Sequence, residues 1–229
     1  SLTDSKKSVL VIDADIRKSV LIGRMRAKVI NGKEIYGLSH LLSGQKKMSD
    51  IVYATEKTGL FMVFAGPTVP NPTEMLEKRY FKELIEFARE QFDYVLIDCP
   101  PSLSLLTVNA LTATDSIIIP IQCEYFALVG LGQLMNTVKL IKKHLNPTIE
   151  IEGVLLTMKD ARSNLVNQVA EEIQRYFKEK VYKTFIPRNV RLAESPSHGK
   201  PITMYDAKSK GAIAYQNLAN EFLESNKKY

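Results

Sequence analysis

Long apolar runs, cysteine pairs and low-complexity tracts are all missing from this chain of 229 residues. Without a stretch of about eighteen apolar residues no membrane-spanning helix is expected. The first residues carry no basic-apolar leader, so the cytosol is the expected compartment. The two cysteines, Cys99 and Cys123, lack metal-ligand spacing and sit at the ends of apolar segments. They read as buried thiols of a reducing compartment and are assigned no chemistry. No internal repeat or linker breaks the chain, so a single α/β domain over residues 1–229 is expected, and 45% hydrophobic residues suffice for a sizeable core. Neither the three histidines nor the serines form a recognisable nucleophilic arrangement. His198 and Lys200, in SHGKP, read as loop structure.

Charge of one sign is scarce only in part of the chain. Residues 139–229 hold 16 of the 31 basic side chains but 10 of the 25 acidic ones, so the whole net charge of +6 lies there. That bias suits a polyanion, whether nucleic acid or an anionic membrane surface. Surface lysines kept for solubility are the alternative.

The apolar segments are short and strand-like. SVLVIDADIRK, residues 8–18, has four consecutive apolar residues from Val9 to Ile12 and then Asp13 and Asp15. Such a run suits a strand buried on both faces of a parallel sheet. Ligands of open α/β sheets bind beyond the carboxyl ends of the strands, where acids can hold the waters of a Mg²⁺-phosphate site or polarise an attacking water. An Asp-rich strand-to-loop turn is the plainer reading of one such pair. FDYVLIDCPP, residues 92–101, repeats the design with Asp98 at the tip of a second buried strand, the way a magnesium-binding acid is presented in P-loop NTPases.

Helix-like and strand-like segments alternate along the rest. GLSHLLSG, residues 37–44, reads as a short helix stopped by Gly44, and residues 17–31 as a basic helix or loop. Phe61 to Phe64 form a buried strand, followed by a proline-rich excursion in which Thr73 can cap the next segment. Residues 79–91 place Phe81, Leu84, Ile85 and Ala88 on one helical face. Helices are expected over 103–112, 128–144, 164–178 and 211–224, and strands over 116–122 and at EGVLLTM and VYKTFIP. The implied fold class is α/β, a doubly wound and mainly parallel sheet flanked by helices.

The phosphate cradle GxxxxGK[ST] is absent. Its amides and lysine hold the β and γ phosphates between a first strand and a first helix. Gly130-Leu-Gly132 and Ser43-Gly44-Gln45-Lys46 are the nearest clusters, and neither follows a strand in that geometry. A strand-loop-helix unit of about thirty residues is therefore expected upstream, which a serine at position 1 suits. Losing a central strand would expose the edges of its two neighbours.

These motifs resemble the deviant Walker ATPases, the P-loop superfamily of ParA/Soj partition proteins, MinD and bacterial tyrosine kinases. Residues 1–98, with DADIRKS, GLSHLLSG and FAGPTVPNPTEML, look most like the tyrosine kinases of exopolysaccharide export. From about Cys99, CPPSLSLLTVNAL, IPIQCEYFAL, EIEGVLLTM and KTFIPRNVRLAESPSHGKPI are similar to Soj-type partition ATPases, which puts a seam near residues 98–101. The resemblance implies ATP and Mg²⁺ as cofactors, with Asp15 near the attacking water, Asp13 as the preceding acid that also serves the metal, and Asp98 reaching Mg²⁺ through water. It places Pro187, Arg188 and Asn189 near the adenine, beside Thr157 and Met158. It also implies DNA binding without sequence preference through Arg188, with Arg191 close by; solvated loop charges are the alternative reading of both. The second arginine of that surface would fall at Asn217, a departure. The implied partners are a second copy in the ATP-bound state, non-specific DNA and a ParB-like protein, and the implied location is the cytoplasm, on the nucleoid. The expected function is a ParA/Soj-type ATPase of chromosome or plasmid partition, with this chain inactive for want of the cradle. The alternative is a tyrosine autokinase regulating exopolysaccharide synthesis, whose usual C-terminal tyrosine cluster is reduced here to Tyr229.

Overall fold

The computed structural model describes residues 2–16, 21–24, 34–67, 78–100, 102, 104–160 and 162–227. Thr73, Tyr229 and most of the 17–31 segment lie outside them. The chain divides into two compact units, residues 2–113 and residues 114–229.

In the first unit, β1 (Val9–Asp13) is the apolar run read from the sequence, and all but one of its residues are buried. It pairs in parallel with β3 (Leu60–Val63) on one side and β4 (Tyr94–Asp98) on the other. A short antiparallel strand, β2 (Val52–Ala54), completes the order β2-β3-β1-β4. Its three residues gave no periodic signal in the sequence. Two helical turns, α1 (Leu21–Arg24) and α2 (Leu38–Leu42), precede β2. As expected, Gly44 closes α2 with a left-handed φ of 71°.

Helix α3 (Lys78–Gln91) buries Phe81, Leu84, Ile85 and Ala88, the face its spacing prescribes, and packs them into one core with Leu10, Ile12, Val63 and residues of α4 (Leu105–Ala113). β4 departs from the fully buried strand expected. It has one neighbour, β1, among the described residues, so its other edge is unpaired and Leu96 is 38% exposed. An edge strand lacks the second neighbour that would complete its burial.

In the second unit, β5 (Ser116–Gln122) and β6 (Glu150–Thr157) form a parallel pair. β5 alternates, with Ile119 and Ile121 buried and Ile118 exposed. The crossover between them is α5 (Tyr125–His144), and α6 (Asn164–Phe177) follows β6, its Ser163 cap accepting the Val166 amide. Val169, Ile173 and Phe177 of α6 pack on Ile119, Val154 and Leu156. Helices α7 (Val190–Glu194), α8 (Ile202–Tyr205) and α9 (Lys210–Ser225) close the unit.

VYKTFIP, read as a strand, is not continuous. Its pairing with β6 is a bridge at Val181 and two amides, Tyr182 N to Val154 O at 3.0 Å and Ile186 N to Leu156 O at 2.8 Å, while Pro187 bridges Lys159 beyond the strand's end. The amide of Thr184, which a ladder with β6 would need, donates instead to the Glu221 carboxylate at 2.9 Å, beside that of Lys183 at 2.7 Å. A side chain has replaced the neighbouring strand.

Candidate functional site

The acid-bearing strand ends of the first unit meet. β1 and β4 run parallel with Asp13 opposite Asp98, and the amide of Ala14 donates to the Asp98 carbonyl at 2.9 Å. Neighbouring strands lie about 4.8 Å apart, so the two carboxylates share one carboxyl-end rim. Asp13 is 1% exposed and its Oδ1 accepts the Asp15 amide at 3.1 Å, which fixes the turn that carries the third acid.

Asp98 faces solvent at the surface, yet the atoms crowded around it desolvate the carboxyl and push its pKa up, and the negative charges of Asp13 and Asp15 push it further. Three acids with mutual repulsion suit a divalent cation, which would reverse that repulsion. The Cys99 thiol beside them is pushed up to about 11, first by burial and then by Asp98, and stays protonated and inert at neutral pH.

Among the described residues no three such side chains converge closely enough to ligate a metal ion directly, so these acids could meet a hydrated Mg²⁺ only through its waters. The residues for the other half of a nucleotide site are missing, because the sequence has no GxxxxGK[ST] cradle to offset triphosphate charge. The strand-end acids stand without a phosphate cradle in this sequence.

The remaining expected residues lie in the second unit. Thr157 ends β6 and donates its hydroxyl to the Ile121 carbonyl at 3.2 Å, so it ties β6 to β5. Met158 follows in a left-handed conformation, φ 51°, and is half exposed. Pro187, Arg188 and Asn189 line an open groove of about 1090 Å³, whereas Thr157 and Met158 do not. The groove rim is built by local pairing: Lys159 N donates to Ile186 O at 3.1 Å and Arg188 N to Lys159 O at 3.2 Å. Asn189 caps α7, its Oδ1 accepting the Leu192 amide at 3.3 Å.

Arg191 points elsewhere. Its guanidinium pairs with Glu194 at 2.9 Å and with Asp206 at 3.5 Å, and it is not part of the groove lining. The expectation that it stands with Arg188 thus meets a residue whose charge is already offset. His198 stacks on Tyr205 with ring centroids 4.8 Å apart, the structural role read from the sequence.

Sequence reasoning passed over Lys159, Lys183 and Lys210, which join Arg188 in the groove. The signal was available in α9, where Lys210, Ile213, Ala214 and Asn217 recur at the spacing of one helical face and all four line the groove.

A family model described as an AAA domain matches residues 1–151. The sporulation initiation inhibitor protein Soj of Bacillus subtilis is 48% identical over 220 residues, covering 94% of this chain and 86% of that protein. The chromosome partitioning protein ParA of Myxococcus xanthus is 41% identical, covering 98% of this chain and 80% of that protein. The chain belongs to the Soj/ParA family of P-loop ATPases.

This membership spans the expected seam. A 94% match to Soj cannot stop at residues 98–101, so the tyrosine-kinase likeness of the first half is the minor one. Among solved structures, cobyrinic acid a,c-diamide synthase of Mycobacterium smegmatis with a bound ATP analog and magnesium superimposes with a TM-score of 0.80 at 30% identity, covering 99% of this chain and 86% of that one. MinD of Pyrococcus horikoshii with Mg-ADP, at 22% identity and a TM-score of 0.74, shares the fold and covers 96% of this chain and 85% of its own. ATP and Mg²⁺ are the cofactors of this ATPase family, and the P-loop NTPase-like α/β class read from the sequence holds. Among the described residues no helix is long and apolar enough to cross a membrane.

Proposed function

We propose that the chain is the partition ATPase of a chromosome or plasmid segregation system. In that role MgATP joins two copies, the dimer grips DNA without sequence preference, a ParB-like protein triggers hydrolysis, and the cycle runs on the nucleoid in the cytoplasm. The observation that carries the reading is the register of Asp13 with Asp98 in a chain 48% identical to Soj. With Mg²⁺ bound, Asp98 and Asp13 would hold the metal's waters and Asp15 would orient the attacking water. Pro187, Asn189 and Arg188 belong with the base or with DNA, beside Thr157 and Met158.

For these 229 residues the missing cradle predicts no hydrolysis of their own. Triphosphate carries several negative charges that carboxylates alone repel, so calorimetric titration of MgATP into the folded chain should give no saturable heat. A clear isotherm would sink this part of the reading.

DNA binding supplies the test of the partition role. Affinity for mixed-sequence duplex should fall by orders of magnitude between about 50 and 200 mM salt, as counterion release requires. Duplex binding indifferent to salt would remove the polyanion role, and phosphotyrosine formation on incubation with ATP would restore the kinase reading.

A further inference from the structure

The outward face of α5 carries a seam of its own. Phe126, Val129, Gln133, Asn136, Leu140 and Lys143 recur at alternating steps of three and four residues, the spacing by which one helix packs along another. The opposite face is spent on the core of the unit, where Leu128, Leu131, Leu134 and Met135 pack on the cluster that holds Ile119, Val154 and Ile173. On the seam, by contrast, Phe126 is 82% exposed, Val129 58% and Leu140 60%. A row of large apolar side chains in water along one helix is the usual mark of an interaction surface.

Gly130 and Gly132 flank the first half of the seam, one on each side. A Cβ built on either meets no atom within 4 Å, and neither has a left-handed φ, so the fold itself does not call for glycine at these positions. Glycine weakens a helix interior relative to alanine. The room it leaves opens outward, where it lets a second backbone approach closely. The second half of the seam is basic. Lys139 and Lys143 border Leu140, and no acid occurs between Glu124 and Glu150. Among the described residues no carboxylate forms an ion pair with either lysine.

We propose that this seam docks an amphipathic helix of another protein, whose apolar stripe seats on Phe126, Val129 and Leu140 and whose acidic side chains meet Lys139 and Lys143. Charge decides the occupant. A second copy of α5 laid antiparallel would set one acid, Glu124, against Lys139, Lys142 and Lys143, and a parallel copy would set lysines against lysines. Like charges brought together oppose docking, so the acids have to come from a different chain. An anionic membrane surface would ask for cations along the whole polar border of the helix, whereas residues 125–138 carry none. The inference stands apart from the metal and DNA readings above, since none of the residues it uses belongs to the acid rim or the groove.

The experiment is a fluorescence-anisotropy titration of the full chain into two labelled helical peptides. Both carry a leucine seam of the same three-four spacing, flanked in one by glutamates and in the other by lysines. The glutamate peptide should bind with saturation, and the lysine peptide at least about ten-fold more weakly. Gly130→Gln, Leu140→Gln and Lys143→Glu should each weaken the glutamate peptide by about ten-fold. Lys142, which the helical spacing sets on the other side of α5, controls for net charge, and Lys142→Gln should change binding by less than about two-fold. Thermal unfolding separates docking from folding, because Gly130→Gln should melt roughly 1–3 °C above the wild type while binding worse. A glutamate peptide that fails to bind, binds no better than its lysine twin, or is indifferent to the seam variants would overturn the assignment. So would a wild type that sediments as a dimer dissolved by Leu140→Gln, which would give the seam to a second copy, or seam-dependent binding to vesicles of anionic lipid.

Discussion

Asp13 and Asp98 sit opposite one another in the parallel register of β1 and β4, with Asp15 held by its amide to the Asp13 carboxylate. The raised Asp98 pKa turns this crowding into a measurable quantity. Its cause is first desolvation and then the two neighbouring acids. A carboxyl with a folded pKa above its unfolded 3.8 loses its proton later in the folded state. Stability therefore declines as pH rises from about the unfolded value through the folded one, and the full cost is present above it. Asp98→Asn should raise the melting temperature at neutral pH and make no difference in strong acid. Added Mg²⁺ should raise the wild-type melting temperature and leave the variant unmoved. A destabilised Asn variant at neutral pH would mean that the three acids are not in conflict.

Glu221 gives the opposite sign in the second unit. Burial pushes its carboxyl up, but the amides of Lys183 and Thr184 outweigh that and hold it below its usual 4.5. Its contribution is present above the unfolded value and is lost as pH falls through the lowered folded value. Unfolding followed by a probe in the second unit should show acid destabilisation beginning just below about pH 4.5. Glu221→Gln should lower stability at neutral pH and flatten that acid limb. An unchanged acid limb would mean that the two amides find other acceptors.

The same carboxylate explains where the sequence misled. VYKTFIP has the composition of a strand, and only a contact from a residue 37 positions away removes the Thr184 amide from the ladder. β2 was missed for the reverse reason, since three residues on an antiparallel edge carry no period. α3 was legible because one amphipathic face serves one core. The acid rim was legible too, because two apolar strands each ending in Asp need no long-range knowledge beyond parallel pairing. The groove was not, as its cations come from three separated segments and only the charge bias of residues 139–229 hinted at it.

Gly153 of β6 packs directly against the Tyr182 ring. A Cβ on Gly153 would collide with the ring, 2.7 Å from Cζ and closer still to Cε2. Overpacking of this kind costs about 1–3 kcal/mol, so Gly153→Ala should lower the melting temperature by roughly 2–10 °C for a chain of this size. Tyr182→Leu added to Gly153→Ala should recover part of that loss, a coupling readable in a double-mutant cycle. Strict additivity of the two changes would show that the backbone of β6 moves aside instead.

Arg188 and Arg191 lie three residues apart yet should behave differently on DNA. Arg188 lines the groove, and among the described residues no carboxylate pairs with it. Arg191 is bound to Glu194 and approaches Asp206, and the Tyr205 hydroxyl also meets Glu194 at 3.2 Å. Arg188 feels Asp160 only at a distance, because Arg162 grips that carboxylate, so Arg188→Ala should weaken duplex binding and flatten its salt dependence by about one phosphate contact. Arg191→Ala takes away a cation whose field is cancelled by two acids at hand. Its first effect should be at most a small loss of stability, because solvent screens an exposed pair. The freed Glu194 and Asp206 would then repel DNA, so any loss of affinity should be recovered by adding Glu194→Gln. If Arg191→Ala instead matches Arg188→Ala in salt slope, and Glu194→Gln does not rescue it, Arg191 leaves its ion pairs to reach DNA and the groove is wider than its lining residues indicate.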